Sequence, residues 1–177
     1  MIFKNIRIQT ERFTLRPLKL SDASPQYLSW MSDRKVAKFI LGAEGTQSVA
    51  ALEAYIQKKT SKADCLFLGI FETVTGEHVG NLKFEPINLV LKSAEMGILI
   101  GTEKWRGRGV GPEVILGAGS WLRNNLLLEV MTLCVSSENE AAIYAYKKIG
   151  FIEYDSNVLG LDTIIRMSCT LYEVIFV

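Results

Sequence analysis

The sequence predicts a single α/β domain with a mixed, mostly antiparallel central sheet flanked by helices. The apolar segment CLFLGIFET at residues 65–73 is joined by the turn TGEH to a second strand at 79–85, which is typical of an antiparallel hairpin. A third strand at 94–101 runs directly into a glycine-rich loop, and an apolar stretch with helical spacing follows. Strands therefore dominate the middle of the chain, while helices are expected before and after them.

The first part of the chain is predicted to supply one strand and two helical regions. Residues 12–16 alternate in polarity and favour a short strand. Ser21 or Asp22 suits the N-cap of a helix that follows. A second helical region is expected over residues 35–59, with an interruption near 42–45.

The part of the chain after the glycine-rich loop is predicted to alternate between helix and strand. Neither a low-complexity linker nor a repeat divides the sequence, so residues 1–177 are expected to form one domain. The predicted elements are a helix from about residue 111, a strand at 130–135, a helix at 139–148, and strands at 151–157 and 161–171.

Composition indicates a globular protein and argues against nucleic-acid or membrane partners. Apolar residues make up 49% of the chain, and 20 basic side chains nearly balance 19 acidic ones. The start of the sequence lacks the apolar core of a signal peptide, and no segment has the length of a membrane span. Cys65, Cys134 and Cys169 are odd in number and far apart, which favours reduced thiols. We expect a cytoplasmic protein, monomeric or homodimeric.

His78 is the single histidine of the chain, and it lies in the turn-like stretch TGEH. No nearby residues have metal-ligand spacing, so we expect neither a metal site nor a Ser-His-Asp triad. The sequence predicts that His78 is a solvated turn residue.

The loop Arg106–Gly111, within the stretch WRGRGVGPEVI, is the strongest candidate for a binding site. Glycines tolerate positive φ and let backbone N–H groups turn inward, and Pro112 suits the first position of the helix. A strand, such a loop and a helix N-terminus together form an anion site, to which Arg106 and Arg108 would add charge. The alternative is a connection without a ligand. The spacing matches neither GxGxxG nor GxxxxGK[ST], so any phosphate belongs to another cofactor.

Three segments resemble the GNAT superfamily of acyl-CoA-dependent N-acyltransferases. Arg106, Gly109 and Gly111 match its first signature, and NEAAIYAYKKIGF at 139–151 is similar to its second motif. The N-terminal TERFTLRPLKLSDA resembles the branch that contains ribosomal-protein, amino-sugar and polyamine N-acetyltransferases. The resemblance covers about residues 10–171. Many relatives carry Ser or Thr where this chain has Pro112, so one hydroxyl and one N–H are missing here.

The resemblance implies a cofactor site for acetyl-CoA as co-substrate, in a gap where the strand before the loop splays from the strand after it. Backbone groups of the first strand would pair with the pantetheine arm, and the loop would bind the pyrophosphate. The implied cofactor-binding residues are Ile98, Leu99, Ile100, Arg106, Gly107, Arg108, Gly109, Val110, Gly111 and Asn139. Tyr146 matches a position that often protonates the departing thiolate, although a packed aromatic role is the alternative.

Glu95 is the best candidate for the base that deprotonates the amine. It precedes Ile98 by three residues in an apolar strand, where burial would raise its pKa; a solvent-facing position is the alternative. Glu77 and Glu85 are reserve candidates. Ser136 and Ser137 are expected to orient the acceptor.

Cys134 is expected to be a core residue rather than a nucleophile, because no histidine is at hand to activate it.

The sequence therefore predicts an acetyl-CoA-dependent N-acetyltransferase that acts on a primary amine by direct attack. The expected acceptor is a small molecule such as an amino sugar or a sugar nucleotide. A protein N-terminus, a polyamine and a non-catalytic acyl-CoA-binding role remain alternatives. Residues 21–60 and 153–163 are expected to determine the choice of acceptor, and they do not single out one substrate.

Overall fold

The computed structural model describes residue 3 and residues 5–33, 48–155 and 163–171, which form a sheet with helices on both faces. The strands are β1 (Ile8–Gln9), β2 (Phe13–Pro17), β3 (Leu66–Glu72), β4 (His78–Asn88), β5 (Ser93–Ile100), β6 (Val130–Ser136), β7 (Ile152–Asp155) and β8 (Ile164–Thr170). The helices are α1 (Pro25–Ser32), α2 (Val49–Thr60), α3 (Val110–Leu126) and α4 (Glu140–Lys148). The strand order is β1-β2-β3-β4-β5-β6-β8-β7. These elements confirm the predicted mixed, mostly antiparallel α/β fold.

Strands β5 and β6 form the parallel pair among the described strands, and they separate early. Their pairing ends at Glu95 and Thr132, although β5 continues to Ile100 and β6 continues to Ser136. Beyond this point β5 remains paired with β4, and β6 remains paired with β8. A gap therefore opens between two strands that are each still held in the sheet, as the sequence predicted.

Helices α3 and α4 cover one face of the sheet and form the main core with it. Val114, Ile115 and Leu122 of α3 are fully buried against strand residues such as Leu82 and Phe84. Each such side chain contributes about 1.5–3 kcal/mol through removal from water. We call this face of the sheet the helix face.

Helices α1 and α2 lie on the opposite face, which we call the acceptor face. Tyr27 and Trp30 of α1 and Leu52 and Ile56 of α2 form a second buried cluster there, together with Phe67 of β3. On this face of β6, alternate side chains are half-buried; they are Thr132, Cys134 and Ser136. The two helix layers thus leave part of the acceptor face open beside the gap.

Most predicted elements are observed with shifted ends. The first helix begins after Ser24, whose hydroxyl accepts from the N–H of Tyr27, so the predicted cap at Ser21 or Asp22 is wrong. Asp22 instead forms an ion pair with Arg16. The short strand β1 was not predicted. Residues 35–47 of the predicted helical region 35–59, including its interruption near 42–45, lie outside the described residues.

The described helices include no segment long and apolar enough to cross a membrane. None of the three cysteines forms a disulfide; Cys65 and Cys169 are buried, and Cys134 is half-buried.

Candidate functional site

The backbone of β5 presents hydrogen-bonding groups to the gap. The N–H of Gly101 donates to the carbonyl of Val79 at 3.0 Å. Antiparallel ladders alternate between hydrogen-bonded and non-hydrogen-bonded pairs, so Leu99 bonds to β4, whereas the N–H and C=O groups of Ile98 and Ile100 face away from β4. Of the three residues predicted to pair with a cofactor, Leu99 is therefore committed to the sheet, and Ile98 and Ile100 face the gap.

The glycine loop follows β5 at the mouth of the gap. Gly107 and Gly109 have φ of 72° and 73°, which L side chains rarely adopt. An added Cβ at Gly107 would meet nothing within 4 Å, so that glycine is required by backbone conformation and not by crowding. The N–H groups of residues 107–111 meet no acceptor of good geometry among the described residues. They form a set of unpaired donors at the positive end of α3.

Helix α3 begins two residues before Pro112, which the sequence predicted as its first helical residue. Gly109 is the N-cap and Val110 is the first helical residue, so Pro112 lies at the third helical position instead of the first. The first intrahelical bond is donated by the N–H of Glu113 to the carbonyl of Gly109. Pro112 therefore breaks no helical hydrogen bond, but it removes one donor from the anion site.

Glu113 fixes the start of α3 to the turn between β1 and β2. Its carboxylate accepts from the Thr10 hydroxyl at 2.7 Å, from the backbone N–H of Arg12 at 2.8 Å and from the Arg12 guanidinium at 2.7 Å. The same guanidinium also donates to the carbonyl of Arg108. Arg12 thus balances the acidic charge of Glu113 beside the anion site and holds the loop against the sheet.

The two arginines of the loop have different environments. The Arg106 guanidinium donates to the carbonyls of Ile100 and Gly101 at 3.0 and 2.6 Å and forms an ion pair with Asp33. Its side chain therefore positions the end of β5 rather than reaching outward as predicted. Arg108 is exposed and has no ion pair with the described residues, so its charge can reach an anion at the loop.

Tyr146 lies on α4, and its ring packs into the main core. The ring is tilted against Phe151 with centroids 5.7 Å apart. Burial raises the pKa of the Tyr146 hydroxyl to about 12, so the group keeps its proton at neutral pH. None of the described side chains hydrogen-bonds this hydroxyl. The residue is both a packed aromatic and a hydrogen-bond donor.

Asn139 caps α4 at the carboxyl end of β6. Its side-chain oxygen accepts from the N–H of Ala142 at 3.4 Å, and its own N–H donates to the carbonyl of Ser136. The helix N-termini of α3 and α4 therefore lie beyond the carboxyl ends of β5 and β6, where α/β proteins commonly bind ligands. The backbone N–H of Ser137 donates a hydrogen bond to the carbonyl of Thr163.

Glu95 is exposed, so of the two positions that the sequence left open, the solvent-facing one is observed and burial is not. It alternates with Ala94 and Met96, which enter the main core, and it therefore lies on the acceptor face. Its pairing with Thr132 marks the point where the gap begins. The carboxylate is thus in contact with water at the closed end of the gap.

The two reserve carboxylates are held by lysines. Burial would raise the pKa of Glu77, but hydrogen bonds from Lys104 and Trp105 outweigh it and lower the pKa. Burial likewise opposes ionisation of Glu85, and hydrogen bonds from three lysines bring its pKa to about 2; they are Lys59, Lys62 and Lys83. Both groups are poor bases at neutral pH.

Cys134 is half-buried on the acceptor face, and burial raises the pKa of its thiol, with a further contribution from the nearby charge of Glu95. The thiol is therefore protonated at neutral pH, which suits a packing role and not a nucleophile.

His78 is not the solvated turn residue that the sequence predicted. It is the first residue of β4, where its ring stacks on Phe71 with centroids 4.7 Å apart and meets Tyr27 and Trp30 edge-on. Its Nε2 lies 2.9 Å from the side-chain oxygen of Asn81, a buried polar residue that was not singled out. An asparagine inside a strand is unusual, and that was the available signal.

A gap between two parallel strands that opens onto a set of unpaired N–H donors can hold an extended chain ending in phosphates. This arrangement, on a mixed sheet with helices on both faces, defines an α/β protein with a site for a long, phosphate-bearing cofactor. The acetyltransferase (GNAT) domain family matches residues 12–152, and the chain belongs to this family. It is an N-acetyltransferase.

Relatives and solved structures agree with this assignment. The chain is 21% identical over 164 residues to an N-acetyltransferase 9-like protein of Caenorhabditis elegans, covering 83% of this chain and 78% of that protein. A spermidine N-acetyltransferase of Vibrio cholerae, solved with CoA and spermine, superimposes with a TM-score of 0.78 at 21% identity over 92% of this chain and 98% of that one. A proposed ribosomal-protein-serine acetyltransferase of Vibrio cholerae gives a TM-score of 0.75 at 18% identity over 94% and 98%.

Proposed function

We propose that the chain transfers an acetyl group from acetyl-CoA to a primary amine by direct attack, and that the acceptor is a small molecule such as an amino sugar or a sugar nucleotide. The observation that carries the proposal is the gap beyond Glu95 and Thr132, which leads to the unpaired N–H groups of residues 107–111. The acetyl thioester supplies an activated acyl group. The chain must bind it, keep the amine neutral and assist departure of the sulfur.

Binding rests on backbone groups. Ile98 offers its N–H and C=O groups along the gap, and Ile100 offers its N–H while its carbonyl accepts from Arg106; these groups suit the amides of a pantetheine arm. The loop N–H groups and the exposed Arg108 suit a pyrophosphate. Asn139 holds the start of α4 at the other side of the gap.

The proposed roles of Glu95 and Tyr146 lie on opposite faces of the sheet. Glu95 lies on the acceptor face in contact with water, and we assign it to take the proton of the amine, directly or through water. Tyr146 lies on the helix face. Its pKa of about 12 exceeds the value of about 8.5 for a free thiol, so complete proton transfer would be uphill. A hydrogen bond to the charge developing on sulfur is the role that this hydroxyl supports.

A polyamine is the second candidate acceptor. It is favoured by the structural likeness to a spermidine N-acetyltransferase that was solved with spermine. At 21% identity the likeness concerns the fold, so the acceptor must be tested directly.

The proposal is tested by titrating the protein with acetyl-CoA in a calorimeter and comparing Gly109→Ala with Gly76→Ala. Both glycines have φ of 73°, so both variants carry similar backbone strain. Gly76 lies in the β3–β4 turn, where an added Cβ meets nothing within 4 Å. We expect Gly109→Ala to weaken acetyl-CoA binding by about tenfold or more, because the Cβ intrudes where the phosphate approaches the backbone. Gly76→Ala should bind as the unaltered protein does. Equal affinities in the two folded variants would refute the assigned loop.

A further inference from the structure

Asn81 carries a buried hydrogen-bond donor for which the described protein provides no acceptor. The residue is 4% exposed and lies in β4 between Gly69 of β3 and Leu99 of β5. Its side-chain nitrogen Nδ2 is buried without a hydrogen-bond partner. An unpaired buried N–H is costly, so such a group calls for a partner from outside the chain, such as a ligand or an ordered water.

The orientation of the Asn81 amide follows from His78. The Nε2 atom of His78 lies 3.0 Å from the carbonyl oxygen of Gly80 and 2.9 Å from Oδ1 of Asn81. A carbonyl only accepts, so Nε2 carries a hydrogen and the amide atom facing it must be the oxygen. Burial lowers the pKa of His78, and stacking on Phe71 fixes the ring. A flip of the amide would place two donors against each other.

Asn81 lies on the acceptor face, next to the row in which Lys83 pairs with Gly97. An added Cβ at Gly97 would meet nothing within 4 Å, and the residue is exposed, so the acceptor face is open at this position. Gly97 also lies two residues beyond Glu95, where the gap begins. The Asn81 donor therefore stands one strand away from the gap, on the face that is not covered by α3 and α4.

We propose that Asn81 selects acceptors that carry an oxygen two or three bonds from the reacting amine, by donating a hydrogen bond from Nδ2 to that oxygen. The inference rests on the proposed function. An α-amine of a peptide, with its carbonyl, and a 2-amino sugar, with its hydroxyls, share this chemistry. A polyamine has no oxygen to accept from Nδ2, and it would leave the donor unpaired.

The first experiment uses the unaltered protein and measures kcat/KM with acetyl-CoA for four acceptors: a tripeptide amide, glucosamine, spermidine and cyclohexylamine. Cyclohexylamine resembles the ring of glucosamine without its oxygens. We expect at least one oxygen-bearing acceptor to exceed both oxygen-free amines by at least about tenfold. The faster of the peptide and the sugar identifies the source of the oxygen. A preference for spermidine or cyclohexylamine would overturn the inference.

The second experiment compares Asn81→Asp with Asn88→Asp. Aspartate at 81 keeps the oxygen that faces His78 and replaces the donor by an acceptor. Asn88 receives the same change at the end of β4, where its side-chain oxygen accepts from the N–H groups of Val90 and Leu91. We expect Asn81→Asp to lower kcat/KM for the oxygen-bearing acceptor at least about tenfold, to leave that of the oxygen-free amines unchanged or higher, and to keep acetyl-CoA affinity within about twofold. Asn88→Asp should leave all ratios unchanged.

The outcomes separate the inference from the proposed function. A loss that is equal for all acceptors, or no loss, would show that Asn81 is structural and would overturn the inference alone. A protein that neither binds acetyl-CoA nor acetylates any amine would overturn the proposed function and the inference together. If Asn81→Asp does not fold, the comparison of acceptors on the unaltered protein still tests whether oxygen-bearing amines are preferred, and the absence of that preference overturns the inference.

Discussion

Tyr144 and Tyr146 stand two residues apart on α4 and meet opposite environments. Tyr144 is 63% exposed, whereas Tyr146 packs against Phe151 and keeps its proton at neutral pH because burial raises its pKa to about 12. We expect Tyr146→Phe to lower kcat by about tenfold or more at neutral pH, with acetyl-CoA affinity unchanged, because only the hydroxyl is removed. Tyr144→Phe is the matched control. Normal turnover in the Tyr146 variant would leave this residue with a packing role.

Arg108 offers a second test at the level of a single residue, because its side chain is exposed beside the unpaired N–H groups. Arg108→Ala should weaken acetyl-CoA binding several-fold at low salt, and the difference should shrink at high salt as the charge is screened. Arg7→Ala changes the net charge equally at an exposed position near the start of the chain. Equal losses in the two variants would indicate a general effect of net charge instead of a contact at the loop. Isothermal titration at two salt concentrations gives the comparison.

At the level of elements, the N-terminus of α3 depends on one carboxylate. Glu113 accepts three hydrogen bonds from Thr10 and Arg12, whereas Glu140 occupies the first turn of α4 and is exposed. Both carboxylates interact favourably with the positive N-terminal end of their helix. Glu140→Ala therefore controls for the contribution of the helix dipole to stability. Glu113→Ala should lower the free energy of unfolding by about 1–3 kcal/mol and should also weaken acetyl-CoA binding, because the loop loses its anchor. Urea denaturation and calorimetry measure the two effects.

Elements set by local chemistry could be predicted from the sequence. The glycine loop, the strand before it and the helix at 139–148 were found because glycine spacing, apolar alternation and capping act over a few residues. The helix starts two residues before Pro112, because the positive φ of Gly109 and not the position of Pro112 sets the cap. The gap was expected from resemblance, and the strand register confirms it.

Roles set by contacts between distant segments could not be predicted. Arg106 turns inward because the carbonyls of β5 and Asp33 of the first helix surround it. His78 is half-buried because α1 brings Tyr27 and Trp30 against it. Glu95 is exposed because none of the described helices covers that part of the acceptor face. Each outcome depends on packing partners far away in sequence, which periodicity does not reveal.

At the level of the whole molecule, the sheet separates two kinds of environment. The helix face is filled by α3, α4 and the main core, and it holds the Tyr146 hydroxyl. The acceptor face holds Glu95, Gly97 and Asn81 beside the gap. In the proposed reaction, an amine would approach from the open face and lose its proton there, while the sulfur would leave towards the covered face. The proposed roles of Glu95 and Tyr146 would then lie in environments that differ in their contact with water.

Ion pairs join the α2 region to strand β4 of the sheet, and they make the stability of the fold sensitive to acid. Glu85 of β4 is paired with Lys59 of α2 and with Lys62 just after it. Burial opposes ionisation of Glu85, but the lysine hydrogen bonds outweigh it and lower the pKa from 4.5 to about 2. Because the folded pKa lies below the unfolded one, the pair stabilises the fold above about pH 4.5, and this contribution is lost as pH falls towards 2.

Glu85→Gln tests this linkage. At pH 7 we expect the variant to be less stable than the unaltered protein by roughly 2 kcal/mol, a figure reduced for solvent screening of the partly exposed lysines. Between pH 5 and pH 3 the difference should narrow, because the variant has no carboxylate to protonate at this position. Glu53→Gln removes an exposed carboxylate of α2 and should follow the unaltered protein throughout. Asp22, whose pairing with Arg16 also lowers its pKa against the effect of burial, keeps some acid sensitivity in every variant. Urea denaturation across this pH range provides the measurement, and a Glu85→Gln curve parallel to that of the unaltered protein would contradict the role of the lysine cluster.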